Sequence, residues 1–160
     1  MEIHRTLCFP KNSLNMKKIL SILLCCLIVQ FAPAQDAKEK VERACLDYIE
    51  GFYEGDTAKL IRSLKPALYK FGYWKNDKSG KYEPDEHMNF HEAIDYAKGV
   101  LMKKHFAKQG SPKKVEVLDI MNTIASAKVT AWWGTDYVLL SKQDDKWMIE
   151  EVLWEGPLQK

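Results

Sequence analysis

Asp119, Asp136 and the pair His87 and His91 are the residues of this chain whose types and spacing could do chemistry. Asp119 alternates with Val115, Val117 and Met121, so a strand would place it on their face. If that face looks inward, a carboxylate in an apolar cavity has its pKa raised, as a general base or a neutral donor requires. The competing reading is a strand-end acid that reaches solvent or a backbone donor. Asp136, within "AWWGTDY" (131–137), is the second such acid, and nothing in the spacing brings the two together. His87 and His91, with Asp85, Glu86 and Glu92 beside them, have the spacing of metal ligands on one helix. Asn89 between them reads as a helix cap, which favours a solvated helix start instead, where acids are stabilised by the helix dipole. "NDKSGKYEPDE" (76–86) puts Lys81 and Tyr82 where a calcium loop would need ligands and a glycine. Cys45 has no histidine nearby in sequence and reads as a buried structural thiol. There is no Gly-rich phosphate loop, no Gly-x-Ser-x-Gly and no cysteine pair for zinc, so neither a metal nor a cofactor is assigned.

The elements that must position these residues follow from periodicity. Between Asp36 and Glu54, Val41, Cys45, Tyr48, Ile49 and Phe52 recur at helical spacing, with charged residues off that face. Gly55 suits the end of this helix, and Asp56 with Thr57 the start of a short second one through about Ser63. Pro66 stops helix, and "ALYKFGYW" (67–74) reads as extended, with Leu68, Lys70, Gly72 and Trp74 on one side. Asn89 and Glu92 form a capping-box pattern for a third helix through Phe90, Ile94, Ala97 and Val100 to about His105. After "QGSPKK" the period changes to two, and four consecutive strands with short connections make an antiparallel meander. In "AWWGTDY", residues 131–133 end one strand, Gly134 and Thr135 turn, and Asp136 and Tyr137 open the next. On that division Trp133 faces inward and Trp132 outward.

The chain of 160 residues, 46% hydrophobic and 11% aromatic, is the size of one domain with a substantial core. Met16-Lys17-Lys18, the apolar run Ile19 to Val29 and Ala32-x-Ala34 have the character of a bacterial secretory signal, with translation starting at Met1 or at Met16. This divides the chain into a leader, 1–35, and a domain, 36–160, and predicts a periplasmic or secreted protein. The apolar run is shorter than the about 20 residues of a membrane span. Without the leader, 20 basic groups face 21 acidic ones, a formal charge of −1 with no basic face for nucleic acid. Cleavage would leave Cys45 as the domain's sole cysteine and exclude an internal disulfide. Lipidation at Cys25 or Cys26 is the minor alternative, since neither follows the small residue usual at such sites.

This order of helices and strands, with "YIEGFYEGDTAKL" (48–60), Leu64-Lys65-Pro66 and "VLDIMNTIASAKVTAWWGTDYVLLSKQDDKWMIEEVLW" (117–154), resembles the secreted NTF2-like proteins named for lumazine binding. The family's usual Asp-Gly in the last turn is Asp144-Asp145 here, and Asp tolerates the left-handed backbone such a turn needs. The resemblance implies an α+β cone, three N-terminal helices packed on a curved antiparallel sheet, and a conical pocket. Lining candidates on its concave face are Tyr48, Phe52, Tyr69, Tyr73, Trp133 and Trp154, unless these rings simply fill the cone as core. The expected function is binding of a small apolar or aromatic molecule without transforming it. One alternative is an isomerase or dehydratase of the ketosteroid isomerase type, another NTF2-like fold, using Asp119 or Asp136 with Tyr48. A third is an interaction module that dimerises through the outer sheet face, with Trp132 in the contact.

Overall fold

The first helix, α1 (Ala32–Glu54), opens the part of the computed structural model that is described, residues 32–158. The leader therefore lies outside the described residues apart from 32–35, which belong to α1. Val41, Ala44, Cys45, Tyr48, Ile49 and Phe52 are buried, the stripe of one helix face. Asp56 caps α2 (Thr57–Ser63) by accepting from the Ala58 and Lys59 amides, as its short polar side chain is suited to do. The capping box at α3 (Phe90–Lys103) is complete: Asn89 accepts from the Glu92 amide, and Glu92 accepts from the Asn89 amide.

Six strands form one sheet in the order β2-β1-β6-β5-β4-β3, with β1 (Leu64–Lys75), β2 (Tyr82–Pro84), β3 (Lys114–Ile120), β4 (Ile124–Ala131), β5 (Gly134–Gln143) and β6 (Lys146–Gly156). The four C-terminal strands are the expected antiparallel meander. The "ALYKFGYW" segment is a full strand that pairs parallel to β6, a departure from an all-antiparallel sheet. Pro66 lies inside β1 where the register shifts between Leu64 and Tyr69, an irregularity that accommodates a missing amide. Asp144 and Asp145, with φ of 51° and 60°, form the β5–β6 turn.

Two local irregularities overturn sequence alternation. A bulge between Val117 and Asp119 lets Ile120 pair with buried Ala125, while Asp119 pairs with Ser126 on the other face. Asp119 is exposed and its carboxylate accepts from the Ile120 amide, so it does not share the face of Val117. The second concerns the tryptophans. Ala131 pairs directly with Gly134, so Trp132 and Trp133 are the two turn residues rather than the end of a strand. Gly134 has φ of 155°, and a Cβ there would lie 2.0 Å from the Glu155 carbonyl oxygen, so only glycine closes this hairpin against β6.

The core lies between the inner face of the sheet and α1 to α3, where Ala127, Val129, Val138, Ile149 and Val152 meet Cys45, Tyr48, Ile49 and Leu60. Burial pushes the Cys45 thiol up to about 12, with the charges of Asp136 and Glu42 adding to it, which leaves it a packing group.

Candidate functional site

A cavity of about 580 Å³ opens at one end of the sheet, between α1, α3 and the β4–β5 turn. Phe52 of α1 and Tyr96 and Val100 of α3 form one wall. Trp132 and Trp133 enter from the turn, and Trp74 and Trp154 from adjacent strands β1 and β6. Trp154 reaches this position because Gly72 lies beneath it: a Cβ at Gly72 would stand 2.6 Å from the indole. The rings brace each other edge to face. Trp133 lies 5.8 Å from Phe52, 5.7 Å from Tyr53 and 5.8 Å from Trp132 between centroids. Tyr53 fixes the turn from behind, accepting from the Trp132 amide at 2.8 Å and donating to the Pro112 carbonyl.

The apolar walls converge on a polar floor. Asp136 of β5 is completely buried, and its two oxygens accept from the Tyr48 hydroxyl at 2.6 Å and the Trp133 indole at 2.8 Å. Lys70 of β1 lines the cavity, 8% exposed, with its ammonium 3.8 Å from Asp136. That ammonium also lies 5.1 Å from the Trp154 ring centroid, 5.7 Å from Tyr48 and 5.9 Å from Trp133. Burial pulls the Lys70 pKa down from its usual range, against the opposing charges of Asp136 and Asp85. Burial also carries the Tyr48 hydroxyl well above its ordinary value, and the negative charge of Asp136 adds to the shift, so Tyr48 stays protonated and donates.

The structure brings together part of the set expected from sequence. Phe52, Trp133 and Trp154 line the cavity, and Tyr48 and Asp136 lie directly beneath it. Tyr69 and Tyr73 do not line it: they alternate with Leu68, Lys70 and Gly72 on β1 and point outward, 50% and 40% exposed. The same alternation that placed Lys70 inward excludes them. Tyr69 stacks on His87 at 4.1 Å, and His91 stands on the far side of the Asn89 cap, so the two histidines are not brought to one helix face. Asp119 is remote from this floor, on the outer side of an edge strand. Trp132, expected on the outer surface, lines the cavity, because turn residues do not obey strand alternation.

Sequence reasoning passed over Lys70 as well as Trp74, Met88, Tyr96, His105 and Phe106. A signal for Lys70 was present, since a lysine between Leu68 and Gly72 on the inward side of a strand is out of place unless it has a buried partner. Chemically, Asp136 has both oxygens engaged and does not reach the cavity, whereas Lys70 presents nitrogen to it.

Three helices packed on one curved six-stranded sheet beside such a cavity make the NTF2-like fold, and solved structures agree in fold. An NTF2-like protein of unknown function from Shewanella baltica aligns with a TM-score of 0.53 at 19% identity, over 78% of this chain and 96% of that one. One from Methylobacillus flagellatus aligns with a TM-score of 0.54 at 18% identity, over 75% and 91%. The association domain of C. elegans CaMKII aligns with a TM-score of 0.50 at 12% identity, over 74% and 95%. The family model described as "Putative lumazine-binding" matches residues 36–155, and the chain belongs to that family. No curated protein sequence matches it.

Proposed function

We propose that the cone is a binding site for one small, flat aromatic molecule with a hydrogen-bond acceptor at its inner end. The observation that carries this reading is the cavity's composition: aromatic walls around about 580 Å³ with the Lys70 ammonium, the most deeply enclosed charged nitrogen among the described lining residues, at the floor and Asp85 also in the lining. Aromatic faces suit a planar ring, and Lys70 offers donors that its neighbour Asp136 does not fill at 3.8 Å. Because Asp136 already balances the ammonium, a neutral carbonyl fits this floor without an unpaired charge. A bicyclic heterocycle with ring carbonyls, such as the lumazine of the family's description, meets these requirements. Titration calorimetry with lumazine tests the reading: saturable binding to the native protein, abolished by Trp133→Ala and unaffected by Tyr69→Ala, supports it. Equal loss in both variants, or no binding of lumazine or related heterocycles, contradicts it.

The isomerase reading has one observation in its favour, the Tyr48 hydroxyl on an inward carboxylate. A general base must touch its substrate, however, and Asp136 is sealed beneath Lys70 and three rings. Binding without isomerisation is therefore the preferred function.

Two further proposals concern the protein's setting. The leader pattern supports export, which is tested by finding a shortened N-terminus in the periplasmic fraction. The outer sheet face supports self-association: Leu153 and Tyr137 are paired neighbours on β6 and β5, 44% and 53% exposed. Leu139 adds to that face on β5, and the CaMKII relative is itself an association domain. A dimeric mass in solution that falls to monomer in Tyr137→Glu supports the outer face as the contact; a monomer in the native protein removes it.

A further inference from the structure

We propose that Lys70 is a covalent anchor, its side-chain nitrogen condensing with the carbonyl carbon of an aromatic aldehyde seated in the cavity. The inference rests on the cavity being a ligand site, and it names the reactive class that site would take. Lys70 forms an ion pair with Asp136 yet keeps its hydrogen-bond donors free for a ligand. Its nitrogen is 3.8 Å from Asp136, beyond hydrogen-bond reach, and among the described residues no other polar group holds it. Both carboxylate oxygens already accept from Tyr48 and Trp133. The rings of Tyr48, Trp133 and Trp154 surround the nitrogen in the cavity lining, which also includes the Asp85 carboxylate.

Asp136 cannot swing toward the ligand, because Tyr48 and Trp133 each hold one of its oxygens. Its negative charge therefore stays fixed beside the nitrogen. Desolvation lowers the Lys70 pKa, which raises the fraction of free amine at neutral pH, the feature that activates lysine nucleophiles in apolar pockets. The amine attacks the carbonyl carbon, a C–N bond forms, and the carbonyl oxygen leaves as water with two of the three ammonium protons. The product iminium keeps the single positive charge and the single proton, so the site's charge is unchanged and Asp136 remains its counterion. No oxidant or reductant is consumed.

The test uses the full chain, naphthaldehyde as the probe and sodium cyanoborohydride to reduce any iminium to a stable amine. Intact mass and peptide mapping should show one adduct, at Lys70, with Lys108 at the cavity rim and the surface lysines unmodified. The adduct should be lost in Lys70→Arg, which retains the charge. Saturating naphthol, which has the ring without the aldehyde, should suppress labelling of the native protein, a control that does not depend on the variant's folding. Labelling spread over many lysines, or undiminished in Lys70→Arg or by naphthol, would overturn the anchor. Tryptophan fluorescence with naphthol alone separates the two ideas. Saturable quenching without a Lys70 adduct rejects the anchor and leaves the pocket; neither quenching nor adduct rejects both.

Discussion

Replacing Tyr48 by phenylalanine removes one oxygen from a polar contact whose two residues are both fully buried, and leaves the ring. The ring's edge-to-face contacts, 5.2 Å to Phe52 and 6.0 Å to Trp133 between centroids, are untouched, so any effect reports the hydroxyl. That hydroxyl donates at 2.6 Å to a carboxylate with no exposure. A hydrogen bond to a charged group contributes about 1.5–3 kcal/mol, and its loss here leaves one lone pair of Asp136 facing only Lys70 at 3.8 Å. Asp136 has no solvent exposure through which water already replaces that donor. Tyr48→Phe should therefore lower stability by about 2–3 kcal/mol, equivalent to a fall in Tm of roughly 6–12 °C for a domain of this size. Chemical denaturation and a thermal scan of the two proteins measure it. A Tm within about 2 °C of the native value would show that the Tyr48 hydroxyl does not hold Asp136 in place, and the account of the floor would fail with it.

The other expectations differ in kind. Burial pushes the Glu50 carboxyl upward, but hydrogen bonds from Lys113 and Lys59 and the charge of Arg43 together outweigh it and hold Glu50 at about 2. Its folded value is depressed, so its contribution is complete above about pH 4.5 and lost as pH falls toward 2; after discount for the solvent around its partners it amounts to about 1–2 kcal/mol. The difference in unfolding free energy between native protein and Glu50→Gln should accordingly shrink across that window, and a pH-independent difference would contradict the cluster. Trp132→Ala should weaken ligand binding measured by calorimetry as Trp133→Ala does, since both rings line the cavity; binding unchanged in Trp132→Ala would place that ring outside the site. Asp119→Asn should leave both binding and unfolding free energy within about 0.5 kcal/mol of native, because the side chain is exposed and, among the described residues, accepts from the neighbouring amide alone.

Much of this fold was legible because its elements announce themselves locally. The capping residues Asp56 and Asn89 and the period-two run from Ala125 to Ala131 carry their structure within a few neighbours. The site was legible only where strict alternation or helical spacing held, as for Phe52 and Trp154. It was lost where one residue breaks the period. The bulge before Asp119 reverses which side that acid faces, and the hairpin closes one pair earlier than the glycine suggested, which brings Trp132 into the cavity lining beside the expected Trp133. Lys70 was missed for a different reason. Its partner Asp136 lies far away in sequence, and their meeting depends on β1 pairing parallel to β6, a long-range contact that no local pattern encodes.

The distribution of tryptophans provides the most direct test of the central claim. Of the five in the chain, Trp74, Trp132, Trp133 and Trp154 line the cavity, whereas Trp147 is buried elsewhere, at the other end of β6, with its indole nitrogen unpartnered among the described residues. Indole N–H resonances in a heteronuclear NMR titration with a flat heteroaromatic ligand therefore locate it without any mutation. If the cone is the binding site, the four cavity signals move together to saturation and Trp147 stays in place. Movement of Trp147 alone, or no movement of Trp133 and Trp154 under saturating binding, would contradict it.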